Sequence, residues 1–348
     1  MNIYLAPMEG ITGYLFRNAF FSCFGGVDKY FTPFIATHSK KAMDNREKKD
    51  ILPEHNAGKN VVPQIISKNA EDSIRLIRTL KKEYGYTEVN LNLGCPSGTV
   101  VAKGRGAGFL AHPEELRAYL EQVYDAITPE GIRMSIKTRL GMEKPEEFLE
   151  LLELYQQFPV SELIIHPRVQ KDFYKNTPNM EAFCTAFCNT TYNALSQSRI
   201  PVVYNGNIFR REDYDDWKAQ LKAFVEAGTP QQDEKRKLDE FPAVMLGRGL
   251  ISNPALAREL KGGKPLHKEE LEAFHNRLYR DYLEDFAGDK NALFKLKELW
   301  FYWGKQFIQP EKHLKKIKKA RDFSDYEIAV RQLFHDLELG GIDRHSFG

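Results

Sequence analysis

Short apolar runs of β type recur along the chain. Each is followed by turn residues and then by a segment whose apolar positions fall three and four apart, the signature of repeated βα units. Eight such runs are read: Ile3 to Leu5, Lys29 to Thr32, Val61 to Ile66, Glu88 to Leu91, Arg133 to Lys137, Glu162 to Ile165, Pro201 to Tyr204 and Ala243 to Leu246. The helices between them include Ala70 to Tyr84 and Pro113 to Ile127, whose Leu and Ile residues mark one buried stripe. Eight strands with crossover helices predict an α/β fold closed into a parallel (β/α)8 TIM barrel. An open doubly wound sheet would place a GxGxxG turn straight after its first strand, and the APMEGITG that succeeds Leu5 lacks that spacing.

Beyond about residue 262 the pattern changes. The stretch GGKPLHKEE punctuates the chain, and the remainder is helix-forming with few β-type runs. Helical spacing over 267–286, 290–308 and 325–338, with breaks at Ala287-Gly288-Asp289, at Pro310 and around Asp322 to Asp325, predicts three or four packed helices. The expected organisation is a catalytic barrel over residues 1–262 and then a small helical domain over 263–348. The charged stretch 228–240 reads as a solvated loop before the last strand, and the long connection 211–240 is given no role.

Composition narrows the class. With 348 residues, 42% hydrophobic and 28% charged, the chain can fill a large core and keep a solvated surface. Its 50 Lys and Arg against 48 Asp and Glu leave a formal charge of +2, so only the distribution of charge can speak for a nucleic-acid partner. Four cysteines, at 23, 95, 184 and 188, have no CxxC spacing and are too few for a disulfide scaffold, which favours a reducing, cytoplasmic setting. No metal site is expected. The N-terminal MNIYLAPMEGITGY is not of signal-peptide type, and no apolar stretch approaches the ~18 to 20 residues that cross a bilayer, so no membrane insertion is expected.

In a parallel barrel the chemistry sits on loops leaving the C-terminal ends of the strands. The fourth run leads into Asn92-Leu93-Gly94-Cys95-Pro96 and a glycine-rich loop, which puts Cys95 at the barrel mouth. A thiol with an ordinary pKa of ~8.5 can donate a proton, or act as a nucleophile where a cation lowers that value. Lys137 ends the fifth run and His166 succeeds the sixth, with Arg139 and Arg168 each two residues on. A lysine at the end of a buried strand calls for an anion or an electron-rich ligand to offset its desolvation. The last two runs lead into Asn205-Gly206-Asn207 and Gly247-Arg248-Gly249. Turns of this kind after the seventh and eighth strands present free N–H groups where a phosphate commonly binds, so a phosphorylated cofactor is expected.

Taken in order, Ala6-Pro7-Met8-Glu9-Gly10-Ile11-Thr12, Pro63-Gln64, Asn90-Leu91-Asn92-Leu93-Gly94-Cys95-Pro96, Lys137-Thr138-Arg139-Leu140-Gly141, Ile165-His166-Pro167-Arg168, Asn205-Gly206-Asn207 and Gly247-Arg248-Gly249 resemble the tRNA-dihydrouridine synthase family. The resemblance covers the barrel from end to end, and the helical C-terminal region is similar to the family plan. It implies a flavoenzyme that reduces the C5–C6 double bond of a uridine in tRNA, using FMN and NADPH, with hydride passing from N5 of the reduced flavin to C6. It further implies that Cys95 gives the proton to C5. Pro7, Met8 and Glu9 would line the flavin, Gln64 and Lys137 would contact its ring, and His166, Asn205, Gly206, Asn207, Gly247 and Arg248 would complete the site toward the phosphate. Asn92 and Arg139 would hold the target base. The HPRVQKDFYKN stretch departs from the HAR or HGR of many members, so Lys171 and Tyr174 are given no contact.

Between Lys290 and Arg321 there are ten Lys or Arg against Glu298 and Glu311, a basic stretch on predicted helices. Lys315, Lys316, Lys318 and Lys319 are read as groups that track RNA phosphates. The interleaved Trp300, Phe301, Tyr302 and Trp303, at helical spacing, are read as core of the small domain. The expected partner is tRNA, bound by a monomer. An alternative is an FMN-dependent oxidoreductase of a free pyrimidine, against which the basic helical region argues. Another is a tRNA-binding folding helper with a vestigial flavin site, against which the set Cys95, Lys137 and His166 argues.

Overall fold

The computed structural model describes residues 1–39, 43–190, 192–193, 198–227, 243–286 and 290–342. The eight strands fall where the hydrophobic pattern puts them: β1 (Ile3–Leu5), β2 (Lys29–Phe31, resumed as Ile35–Ala36), β3 (Val61–Val62 and Gln64–Ile66), β4 (Glu88–Leu93), β5 (Arg133–Arg139), β6 (Leu163–His166), β7 (Val202–Tyr204) and β8 (Val244–Leu246). β4 and β5 each run two residues further than expected, which brings Arg139 inside the sheet.

All neighbours in this sheet are parallel, and the ring is closed. β8 pairs with β1, and β1 with β2. β2 then pairs twice with β3, as Tyr30 opposite Val61 and as Ile35 opposite Ile65, while the second piece of β3 continues to β4. The pieces of β2 and β3 are separated at Pro33 and Pro63, where a proline has no N–H to give to the ladder. The Pro63 carbonyl still accepts from the Asn90 N–H at 2.9 Å. A short antiparallel pair, Tyr192–Asn193 with Ser198–Arg199, forms a separate sheet.

The period-two alternation of a strand decides what fills the barrel. Ile3, Leu5, Leu91, Leu93, Ile136 and Ile165 belong to the large core beneath the helices. Tyr4, Ala6, Phe31, Val62, Ile164, Val203 and Met245 form a distinct interior cluster. Along β4 and β5 a polar column replaces apolar filling: Glu88, Asn90 and Asn92 lie opposite Arg133, Ser135 and Lys137. At its lower end Lys29 bridges Glu88 at 2.9 Å and Glu162 at 2.8 Å, Arg133 pairs with Glu88, and the Tyr4 hydroxyl donates to Glu162.

Helix ends obey local chemistry. Ala70–Tyr84 starts on Asn69, whose side chain accepts from the Asp72 N–H, and stops at Gly85 with φ +78°, a left-handed position that glycine occupies without strain. Past residue 262 come helices Lys268–Asp285, Lys290–Trp303, Glu311–Lys319 and Phe323–Asp336. They are tied to the barrel where Phe274 meets Phe16 at 5.7 Å and Phe20 at 6.4 Å edge to face. Trp300 and Trp303 are buried, as expected of core residues, whereas Phe301 is exposed and Tyr302 only partly covered. Four consecutive positions are spread over about 300° around a helix, so one packed face cannot cover them all. The charged stretch 228–240 and the break at 287–289 lie outside the described residues. Among the described residues no helix is long and apolar enough to cross a membrane, and no cluster of three or more His, Cys, Asp or Glu could hold a metal ion.

Lys29→Met would leave Glu88 and Glu162 buried without their shared cation. The expected loss is about 3 kcal/mol of stability, read as a lower urea midpoint at unchanged slope. A loss below about 0.5 kcal/mol would mean that these carboxylates are solvated.

Candidate active site

At the upper end of the polar column the inward side chains continue as a hydrogen-bonded chain. Ser135 accepts from Asn90 Nδ2 at 2.9 Å, Asn90 Oδ1 accepts from Gln64 Nε2 at 2.7 Å, and Gln64 Oε1 accepts from Asn92 Nδ2 at 2.8 Å. Asn92 Oδ1 in turn accepts the backbone N–H groups of Gly94 (3.0 Å) and Cys95 (2.9 Å). The position of Cys95 is therefore fixed by a line of amides that starts inside the barrel. Its thiol is half-buried, and desolvation raises its pKa despite the nearby Ser97 N–H, Lys137 and Arg139, which act in the opposite direction. At neutral pH Cys95 is a protonated acid.

Arg139 is fully buried and ties the loops together. Its guanidinium donates to the carbonyls of Gly94 (2.9 Å), Val169 (2.9 Å) and Phe173 (2.8 Å). Phe173 has φ +50°, a disfavoured conformation for a residue with a side chain, and Arg139 holds its carbonyl. Arg168 donates to the Asn176 carbonyl, to His166 Nε2 at 2.9 Å and to Asn207 Oδ1 at 3.3 Å. Since a guanidinium only donates, His166 Nε2 accepts and the ring is neutral with its proton on Nδ1. Burial and the surrounding Arg139, Lys137, Arg168 and Arg248 charges push its pKa well down. Asn207 Oδ1 also accepts from Arg248 at 3.1 Å, so one side-chain oxygen draws two guanidinium groups together.

These groups surround a cavity of about 390 Å³ lined by Pro7, Met8, Glu9, Gln64, Asn92, Cys95, Lys137, Arg139, His166 and Tyr174, with Glu298 and Tyr302 reaching in from helix Lys290–Trp303. A smaller hollow of about 60 Å³ shares Pro7, Met8, Lys137 and His166, and continues between the last two turns, where Asn205, Gly206, Asn207, Gly247 and Arg248 line it. A Cβ at Gly206 would fall 2.1 Å from the Tyr204 hydroxyl, and one at Gly249 would fall 2.1 Å from the Ile208 carbonyl, so neither turn accepts a side chain. No described residue accepts a hydrogen bond from the Gly206 or Asn207 N–H. The Lys137 ammonium forms no hydrogen bond or ion pair among the described residues, and desolvation lowers its pKa to about 7, with Arg139 adding to the effect. Two adjacent guanidinium groups, free backbone donors and an unneutralised lysine fit a phosphorylated ligand with an electron-rich ring, which is the donor set a flavin mononucleotide needs.

Of the residues singled out in the sequence, Cys95, Pro7, Met8, Glu9, Gln64, Asn92, Lys137, Arg139, His166, Asn205, Gly206, Asn207, Gly247 and Arg248 are brought to these two connected hollows. Lys315, Lys316, Lys318 and Lys319 stand apart, exposed on helix Glu311–Lys319. Two further residues join the site. Arg168 is visible in the motif, but nothing in the sequence gives it a role. Tyr174 lies on the rim, with Arg248 over its ring at 4.6 Å and Arg139 at 5.7 Å, and its signal in the sequence is the aromatic pair after the sixth strand. Lys171 is exposed and pairs with Glu143 at 2.9 Å.

Comparison with known proteins gives one consistent result. The family described as Dihydrouridine synthase (Dus) matches residues 4–333. The tRNA-dihydrouridine(16) synthase of Pseudomonas putida is 27% identical over 283 residues, covering 80% of this chain and 79% of that protein. The protein of the same name from Escherichia coli K12 is 27% identical over 282 residues, covering 76% and 77%. That from Vibrio vulnificus is 26% identical over 352 residues, covering 96% and 97%.

Lys137 gives the site a pH signature. A ligand that favours its charged form raises its pKa on binding, so the complex keeps a proton that the free protein loses above about pH 7. Affinity for flavin mononucleotide should therefore weaken as pH rises from about 7 to 9, by up to about tenfold per unit, and Lys137→Met should abolish the slope. Flavin fluorescence titrations measure this, and a flat profile for the unaltered protein would contradict it.

Proposed function

The chain belongs to the dihydrouridine synthase family, and on that premise we propose that it reduces the C5–C6 double bond of a uridine in tRNA to 5,6-dihydrouridine, with FMN as its cofactor and NADPH as reductant. The observation that carries this reading is the pairing, in one cavity, of a protonated thiol at Cys95 with an unneutralised lysine at Lys137. The names of its relatives support tRNA as substrate. All four cysteines are free thiols, which supports a reducing, cytoplasmic setting, and the protein is taken to act as a monomer.

In this reading Pro7, Met8 and Glu9 line one edge of the flavin, and Gln64 and Lys137 face its ring. His166, Asn205, Gly206, Asn207, Gly247 and Arg248 hold the side toward its phosphate, joined by Arg168. When bound, the flavin supplies the reducing equivalent that reaches uracil C6. Cys95 delivers a proton to C5 on a base placed with the help of Asn92 and Arg139. The thiolate left behind sits beside Lys137 and Arg139, whose charges stabilise it until it is reprotonated. Neutral His166 accepts from Arg168 and so holds that guanidinium toward the phosphate side. A stacked base cannot reach a barrel mouth, so the uridine is extruded from the tRNA before reaction. Lys315, Lys316, Lys318 and Lys319 attract the tRNA backbone.

Cys95→Ala should retain flavin and its reduction by NADPH, while dihydrouridine formation in tRNA falls at least about 100-fold. Unchanged turnover would remove the proton-donor role, and reduction of free uracil at the rate of tRNA would favour the free-pyrimidine alternative. Reversing charge at Lys315, Lys316, Lys318 and Lys319 should weaken tRNA binding and flatten its dependence on salt, by a slope of about 0.7 to 0.9 for each phosphate no longer neutralised. Filter-binding isotherms across a salt series provide the check, and an unchanged slope would place the phosphate-binding groups elsewhere.

A further inference from the structure

Helix Lys290–Trp303 is apolar on two faces. Ala292, Leu293, Leu296, Leu299, Trp300 and Trp303 are buried, whereas Phe294 is 69% exposed and Phe301 62% exposed. Seven residues are close to two helical turns, so these two rings stand on one outward face, about 10 Å apart along the axis. The face is bounded differently on its two sides. On one side Glu298 and Tyr302 reach into the cavity that holds Cys95, and Lys295 donates to the Gly10 carbonyl beside the cavity-lining loop. On the other side Lys297 donates to the carbonyl of Ala320, the residue that ends basic helix Glu311–Lys319. Lys290 is exposed at the start of the helix, and Lys305 Nζ lies over the Phe301 ring at 5.9 Å. The two rings thus occupy the strip of surface between the reaction cavity and the lysines.

We propose that Phe294 and Phe301 form a stacking shelf for unpaired nucleotides of the RNA substrate next to the extruded uridine. This rests on the tRNA reading above. Extruding one base unstacks its neighbours, and an exposed aromatic ring offers a replacement face that does not depend on base identity. Lysines along the same strip match the phosphates that accompany those bases. Continuity with the cavity on one side and the basic helix on the other fits RNA, which must reach both at once, better than a second protein surface.

The test compares Phe294→Ala, Phe301→Ala, and the Leu and Trp replacements at each position, using unmodified tRNA transcript and the flavin-loaded full chain. Each Ala variant should bind tRNA about fivefold to 100-fold more weakly, the range expected for loss of one base–aromatic stack. The slope of log Kd against log salt should not change, because no cation is removed. Trp should restore affinity and Leu should not, while flavin content and the rate of flavin reduction by NADPH stay at the unaltered value. Unaltered affinity in both Ala variants would overturn the proposal. So would rescue by Leu as complete as by Trp, or a self-association that disappears in the Ala variants with tRNA affinity unaffected. Because the readout is binding, it stands apart from the catalytic reading, whose failure shows instead as no dihydrouridine formed in tRNA by the unaltered protein.

Discussion

Positive charge that the protein does not neutralise organises the mouth of this barrel. Lys137, Arg139 and Arg168 converge there, and none of them forms an ion pair among the described residues. Arg139 and Arg168 are almost completely buried. Desolvation is the largest influence on all three, and it lowers their pKa values. Burying a cation without a counter-charge is among the costlier things a fold can do. The two arginines are held by neutral acceptors, namely backbone carbonyls, His166 and Asn207. Lys137 has no such acceptor and is left to whatever the cavity binds.

The opposite end of the same barrel shows the contrast. There Lys29 has two carboxylates within 3 Å and Arg133 adds a third interaction with Glu88. Glu88 at one end and Lys137 at the other lie on the paired strands β4 and β5, so the two ends differ in the partners their charges find. The floor is complete by itself and reads as structure, whereas the mouth needs an anionic or electron-rich partner to complete it and reads as a ligand site. The hydrogen-bonded line Ser135, Asn90, Gln64 and Asn92 lies between the two ends and converts the rigid sheet register into a fixed place for Cys95. His166 is kept neutral first by its burial and then by the same charge excess, since a protonated ring would add a further cation to the cluster.

Much of this was legible along the chain because a barrel puts consecutive strand ends on one rim. Cys95, Lys137, His166, Asn205 to Asn207 and Arg248 could be marked from position alone. The use made of their side chains could not be seen. The amide of Asn92 is engaged by Gln64 and the Cys95 loop, and the Arg139 guanidinium by three carbonyls. Those partnerships depend on strand register and on loops 28 to 45 residues away. Arg168 gives no hint of its role in sequence because its partner Asn207 lies on the next strand's loop. Phe294 and Phe301 escape for another reason. Periodicity identifies an apolar face but not which of two such faces is packed, and Trp300 with Trp303 took the interior.

The helical region is part of the site as well as an attachment to it. Phe274 locks it to the barrel helix Tyr14–Cys23 through close aromatic contacts. Lys295 then bonds the Gly10 carbonyl in the loop whose earlier residues, Pro7 to Glu9, line the cavity. Tyr302 and Glu298 complete the wall that faces Cys95. A long polymer held on the outer face of that helix would therefore be positioned by the same rigid element that shapes the pocket. In the proposed reaction this geometry would let contacts far from the reacting carbon set where one base enters, because a single helix carries both the exposed Phe294 and Phe301 rings and part of the wall around the Cys95 thiol.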